Sequence, residues 1–197
     1  MEQQDIADSI ARLTQSGYKP HPSSIILTLP PYEQTKKDMM DGLVYFLHDK
    51  AQWQPEYDNV ARWLSDNQGK GLLCVGDCGR GKSLITMRII PILLHFYMGK
   101  VIKPYDANEM NTCIDKIKKE HIVIIDDIGT ENMISTFGNK RAAFPEVVDA
   151  AEKNGILLIV STNLSSGMLR EKYGERVLDR MLGLMRAVKF TGRSMRT

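Results

Sequence analysis

At 197 residues the chain suits one α/β domain with a modest extension rather than two full domains, and 43% hydrophobic residues suffice for a packed core. A net charge of +2 excludes a global field for nucleic acid, so any such contact must come from local clustering. Three cysteines, an odd number without metal-ligand spacing, predict reduced thiols in a cytoplasmic protein, and no apolar run nears membrane-spanning length. The four histidines stand apart from one another and from the cysteines and read as structural or surface residues.

In chain order, Ile6, Ile10 and Leu13 recur at helical spacing before Gly17, which predicts a short helix over 1–17. Its one apolar stripe suits docking on its own domain or on another protein. Pro20, Pro22, Pro30 and Pro31 punctuate an extended segment at 24–29 that does not suit a central strand. Residues 38–50 read as a helix with Met39, Leu43, Phe46 and Leu47 on one side. Pro55 opens another, with Tyr57, Val60, Ala61 and Leu64 inward. The reading divides the chain into an extension that contacts a partner, 1–54, and a core, 55–197.

A short apolar run then ends in Gly76-Asp77-Cys78-Gly79-Arg80-Gly81-Lys82-Ser83, which fits the phosphate-binding P-loop at every fixed position. Glycines let backbone N–H groups turn inward around phosphate oxygens, and the following helix opens with unpaired N–H groups that favour an anion. Residues 76–83 are therefore the predicted nucleotide-binding loop. Lys82 supplies a point charge for the β- and γ-phosphates and Ser83 a hydroxyl ligand for Mg²⁺. The helix after the loop should run to about residue 97, broken or kinked at Pro91.

Beyond it, 101–105 is a predicted strand and 108–119 a helix. Residues 122–127, Ile-Val-Ile-Ile-Asp-Asp, form a β-branched run suited to a strand buried on both faces, closed by two carboxylates. Asp126 is the predicted Mg²⁺ partner of Ser83, and Asp127 the group that takes a proton from the attacking water. A helix over 140–153 and a buried strand over 156–160 follow. That strand leads into Ser161-Thr162-Asn163, where the Asn163 carboxamide would orient the water; the alternative is that these residues cap the next helix. Short helices at 168–173 and 175–185, a strand at 187–190 and a basic tail complete an α/β layered fold.

Residues 72–83, 122–129 followed by Glu131, Ser161-Thr162-Asn163-Leu164, the 173–180 run Tyr-Gly-Glu-Arg-Val-Leu-Asp-Arg and Gly192-Arg193-Ser194-Met195-Arg196 resemble the DnaC/IstB-like branch of the AAA+ ATPases. The resemblance spans 57–197. It implies a three-layer core with a five-stranded parallel sheet and no separate lid, and ATP hydrolysis with Mg²⁺ between neighbouring copies of the chain. It also implies work on DNA, by loading a replicative helicase or by assisting a transposase. By position, Arg180 resembles the arginine finger that reaches a neighbour's ATP, Arg176 a support one turn earlier, and Arg196 an arginine that senses nucleotide within its own subunit.

The segment before residue 122 is shorter than in helicase loaders, which weakens the expectation of single-stranded DNA binding. Lys100, Lys103, Lys116, Lys118 and Lys119 could follow a phosphate backbone and Tyr105 offer a stacking face; the alternative is a solvated helix face. A small-molecule phosphotransferase would need an arginine-bearing lid, and none is read. A non-hydrolysing nucleotide-gated adaptor is the alternative of another class.

Overall fold

The computed structural model describes residues 3–17, 24–131, 134–136 and 139–195. Its centre is a five-stranded sheet in the order β2-β3-β6-β1-β7, parallel throughout. The strands are β1 (Gly71–Gly76), β2 (Tyr105–Asp106), β3 (Ile122–Asp126), β6 (Leu157–Thr162) and β7 (Met185–Phe190). The five-stranded parallel α/β core expected from the sequence is present.

Alternation along the strands builds two cores, one on each face. Leu72, Cys74, Ile122, Ile124, Leu157 and Ile159 face one layer of helices: α2 (Tyr32–Leu47), α3 (Pro55–Ser65) and α5 (Ile90–Met98). Leu73, Val123, Ile125, Leu158 and Val160 face the other: α6 (Ala107–Ile117), α7 (Ala143–Asn154), α8 (Ser166–Tyr173) and α9 (Glu175–Leu184). Side chains on a strand point to opposite faces at period two, so an unbroken apolar run is what a doubly covered strand needs.

Several elements differ from expectation for physical reasons. Helix α2 begins at Tyr32 rather than 38, because Pro31 stands at the N-cap, where its missing N–H is no loss. Met39 and Leu43 on α2 are fully buried in the same core as the sheet, so 24–54 pack as part of the domain. The extended 24–29 segment is pinned by Asn67, whose Oδ1 accepts from Leu27 N at 2.9 Å and whose Nδ2 donates to Ile25 O at 2.8 Å. Helix α1 (Gln3–Gln15) keeps its apolar stripe, Ile6, Ile10 and Leu13, exposed. Pro20 and Pro22 lie outside the described residues.

The helix after the P-loop does not break at Pro91. It starts as α4 (Lys82–Leu84), widens into a π turn over Ile85–Ile89 and continues as α5. The wide turn accommodates the ring and the absent N–H just ahead of the proline. The strand expected at 101–105 shrinks to β2, since Pro104 has no N–H for a ladder and Val101 is 88% exposed. The helix expected from 140 begins at Ala143. Residues Asn139–Arg141 (β5) instead pair with Ile134–Thr136 (β4) as a small antiparallel ribbon, and Pro145 sits in the first helical turn, where no intrahelical N–H bond is lost.

Candidate functional site

The site forms at the carboxyl ends of β1, β3 and β6, the edge where parallel α/β sheets leave a crevice. Strand β6 lies between β1 and β3, so the residues that follow it stand between the phosphate loop and the paired aspartates. That neighbourhood comes from strand order and has no counterpart in sequence distance.

The loop leaves the sheet pressed against β7. Asp77 N donates to Phe190 O at 2.9 Å, and a Cβ on Gly76 would lie 1.9 Å from that same oxygen. Gly81 caps α4 at φ 85, in the left-handed region, with the Tyr57 hydroxyl in the space a side chain would need. A cavity of about 370 Å³ lies over the loop. Cys78, Gly79, Gly81, Lys82 and Ser83 line it on one side, Asp127, Ser161 and Asn163 on another. Leu47, Lys50 and Gln52, before α3, form a further wall with Met195.

Lys82 is 6% exposed, and its Nζ donates to Gly76 O at 2.8 Å, Asp77 O at 2.7 Å and Asn163 Oδ1 at 2.7 Å. All three ammonium protons are thereby taken. Burial pulls the Lys82 pKa down from its ordinary value.

Arg80, expected among the nucleotide contacts, is not a lining side chain. Its Nε and Nη2 donate to Glu56 Oε1 at 3.0 and 2.7 Å, and Nη2 and Nη1 reach Gln54 Oε1 and Arg193 O. The pair is buried, with side chains 9% and 6% exposed. Asp77 also turns to the tail, Oδ2 accepting from Gly192 N at 3.3 Å, while Met195 N donates to Gly79 O at 2.9 Å. The loop is thus strapped to α3 and to the tail. Arg196 lies outside the described residues.

On the acidic side, Asp126 Oδ1 accepts from Ser161 Oγ at 2.5 Å and has the Thr86 hydroxyl 3.2 Å away. Thr86 Oγ1 also lies 3.0 Å from Lys82 O, so its single proton is shared between two acceptors. Ser161 Oγ accepts in turn from Asp127 N at 2.9 Å. Asp127 has φ 57, a left-handed conformation that turns it out of the strand direction. Its Oδ1 accepts from Asn163 Nδ2 at 2.7 Å. Burial raises the Asp127 pKa, and the neighbouring Asp126 charge raises it further. With Oδ1 on Lys82 and Nδ2 on Asp127, the Asn163 amide has the one orientation that satisfies both partners.

Against comparisons with known proteins, no family model matches the chain and no protein of curated function matches it. Solved structures similar to it include the DnaC helicase loader, at 18% identity and TM-score 0.48, over 87% of this chain and 93% of that one. DnaI is similar at 19% identity and TM-score 0.47, over 64% and 73%. A putative primosome component from Streptococcus pyogenes serotype M3 is similar at 17% identity and TM-score 0.47, over 88% and 87%. At such identities and scores, the site rests on its own geometry.

Helix α8 is capped by Ser165, which accepts from Met168 N, so Ser161, Thr162 and Asn163 do not serve that purpose. Arg180 is 17% exposed and held on α7, by Asp149 through Nη1 and by Glu152 at 3.0 Å through Nε. Arg176 is exposed and makes no ion pair with any described residue. Tyr105 is fully buried, with its hydroxyl on Glu120 at 2.6 Å, and offers no stacking face. Lys118 pairs with Asp115 and Glu146, and Lys103 with Glu109.

Sequence reasoning missed Thr86 and Glu56, and it saw Ser161 only as a possible cap. Thr86 stands at i+4 from Lys82 on an obvious helix, a signal that spacing alone could have supplied. Glu56 gave none, because its partner is fixed by the packing of α3 against the loop.

Proposed function

We propose that the chain binds ATP with Mg²⁺ in the cavity over residues 76–83, hydrolyses it, and acts in DNA replication as a helicase-loader-like ATPase. The observation that carries this reading is the hydrogen-bonded path Lys82–Asn163–Asp127, which joins the phosphate loop to a carboxylate across the intervening strand. Lys82 exchanges its two loop carbonyls for phosphate oxygens when nucleotide enters. Asn163 holds the attacking water beside Asp127, and Asp127 accepts its proton.

Ser83 and Asp126 are the residues that would hold the metal. Among the described residues there is no cluster of three or more His, Cys, Asp or Glu suited to a metal ion. A magnesium site does not require one, since Mg²⁺ keeps several waters and takes one or two protein ligands plus phosphates. Asp126, oriented by Ser161 and Thr86 hydroxyls, fits that demand. Bound Mg²⁺ supplies neutralisation of charge on the β- and γ-phosphates. Leu47 and Met195 add apolar lining to the cavity, suited to a base.

Activity in this reading rises on self-assembly, with Arg176 or Arg180 entering a neighbour's site. Arg176 is exposed and has no ion-pair partner among the described residues, whereas Arg180 must first leave two carboxylates. The partner-contacting part narrows to α1, whose stripe has no cover, while 24–54 belong to the nucleotide-binding core. The test is phosphate release by the wild type and Asp127→Asn, with nucleotide binding followed separately. Binding retained and release lost supports an ATPase; release unchanged removes Asp127 from the mechanism, and binding without release in the wild type turns the chain into a nucleotide-gated adaptor. Affinity capture from the native host, recovering a hexameric helicase or a transposase, decides between loader and transposase helper.

A further inference from the structure

Asp127 holds a left-handed backbone conformation that a non-glycine residue keeps only where its surroundings enforce it. Part of that enforcement is local. Ser161 Oγ holds Asp127 N, Ser161 O accepts from Ile128 N at 2.9 Å, and Thr130 Oγ1 donates to Asp127 O at 2.8 Å.

A second cluster, outside the cavity, holds the residues that follow Asp127. Glu131 is 7% exposed although it is charged and sits in a loop. Its Oε2 accepts from Gly129 N at 2.6 Å and its Oε1 from the Tyr173 hydroxyl. The Lys172 ammonium donates to the carbonyls of Gly129 at 2.7 Å and Glu131 at 3.0 Å. Tyr173 is anchored in turn against the Phe144 ring of α7, with centroids 5.0 Å apart. Burying a carboxylate is unfavourable unless its oxygens are satisfied, and here both are satisfied by groups that fix one short loop. The contact of α8 with α7 at this point is apolar, the Tyr173 ring against Phe144, with Leu169 in the same core.

We propose that Glu131, Tyr173 and Lys172 are positioning residues for Asp127: together they clamp the 127–131 loop to the end of α8 and so hold the Asp127 carboxylate against Asn163. None of the three residues lines the cavity. This rests on the reading of Asp127 as the water-activating group, and the test below separates the two.

The experiment compares wild type, Tyr173→Phe, Glu131→Gln and the double variant in four measurements, one of them the melting temperature. Affinity and stoichiometry are read with a fluorescent ATP analogue, turnover by phosphate release, and hydrogen exchange of the 127–131 peptide by mass spectrometry. Tyr173→Phe removes one hydroxyl and keeps the ring against Phe144, so the fold is preserved. The expected result is turnover lowered about ten- to a hundredfold with affinity and stoichiometry unchanged, since a displacement of about 1 Å at a reacting group costs that much. Exchange at 127–131 rises while the rest of the chain keeps its protection. The double variant should cost no more than the worse single one, because both break one clamp.

Wild-type turnover and exchange in Tyr173→Phe and Glu131→Gln overturn the proposal. Affinity, stoichiometry and melting temperature falling together also overturn it, because the cluster would then be a general fold support. If the wild type binds the analogue without releasing phosphate, the hydrolysis reading fails by itself. The exchange measurement still decides the clamp: faster exchange at 127–131 supports it and unchanged exchange overturns it.

Discussion

The Lys82 ammonium and the Asn163 carboxamide oxygen stand 2.7 Å apart, although 81 positions separate them in the chain. Strand order makes this contact: β6 is inserted between the loop-bearing β1 and the aspartate-bearing β3. Lys82→Ala should therefore abolish nucleotide binding, since it removes the buried charge facing the phosphates. Asn163→Ala should keep binding and lower turnover about ten- to a hundredfold, as loss of one oriented polar group at a reacting centre does. Titration with a fluorescent ATP analogue beside a phosphate-release assay checks both.

Arg176 and Arg180 differ in what they must give up to act on a neighbour. Arg176→Ala should leave the melting temperature unchanged and remove the concentration-dependent part of hydrolysis. Arg180→Ala should also cost stability, about 1 kcal/mol, because Asp149 and Glu152 lose their shared partner. Mixing each variant with Lys82→Ala protein is the measurement. Recovered phosphate release identifies the arginine that works across the interface.

The Glu56–Arg80 pair is the one buried ion pair recorded among the described residues, and it straps the loop to α3. Glu56→Ala should destabilise the domain by about 3–5 kcal/mol, because a guanidinium is left buried without its counter-charge. Replacing both residues together, Glu56→Leu with Arg80→Met, should recover most of that loss, since neither variant charge then remains. Urea denaturation of the single and double variants tests the comparison.

Tyr57 lies fully buried beneath the loop, with its hydroxyl 3.2 Å from Arg80 O. Burial pushes its pKa from 10 up to about 12, the Glu56 charge adding to the rise and the Arg80 charge opposing it. The native state therefore holds this proton more tightly than the unfolded chain. Its contribution is whole below pH 10 and is lost as pH rises through about 12, a loss of about 2–3 kcal/mol. Urea unfolding at pH 9, 10, 11 and 12 should show wild type losing that much more stability than Tyr57→Phe over the same interval, and equal losses would remove Tyr57 as the cause.

The P-loop, the two aspartates and the doubly buried strands were legible because each is a local pattern whose physics closes within a few residues. Glycines permit the turn, the helix end favours an anion, and unbroken β-branched runs need cover on both faces. The start of α2 was misplaced because Pro30-Pro31 reads equally as an extended spacer and as a helix entry, and only the burial of Met39 and Leu43 selects the second. The 101–105 strand failed because its side chains suit a strand while Pro104 and the sheet edge do not.

By itself the sequence determined that a P-loop pattern precedes a pair of aspartates at the end of a strand in a parallel sheet. Tertiary structure alone decided that Asn163 bridges Lys82 and Asp127, that Arg80 faces Glu56 rather than the cavity, and that Arg180 is held on α7 while Arg176 is exposed. It also decided that Glu131 is buried under Tyr173. Each of those depends on which strand or helix lies alongside which, a choice made by the packing of whole faces and not by any residue's own neighbours in the chain.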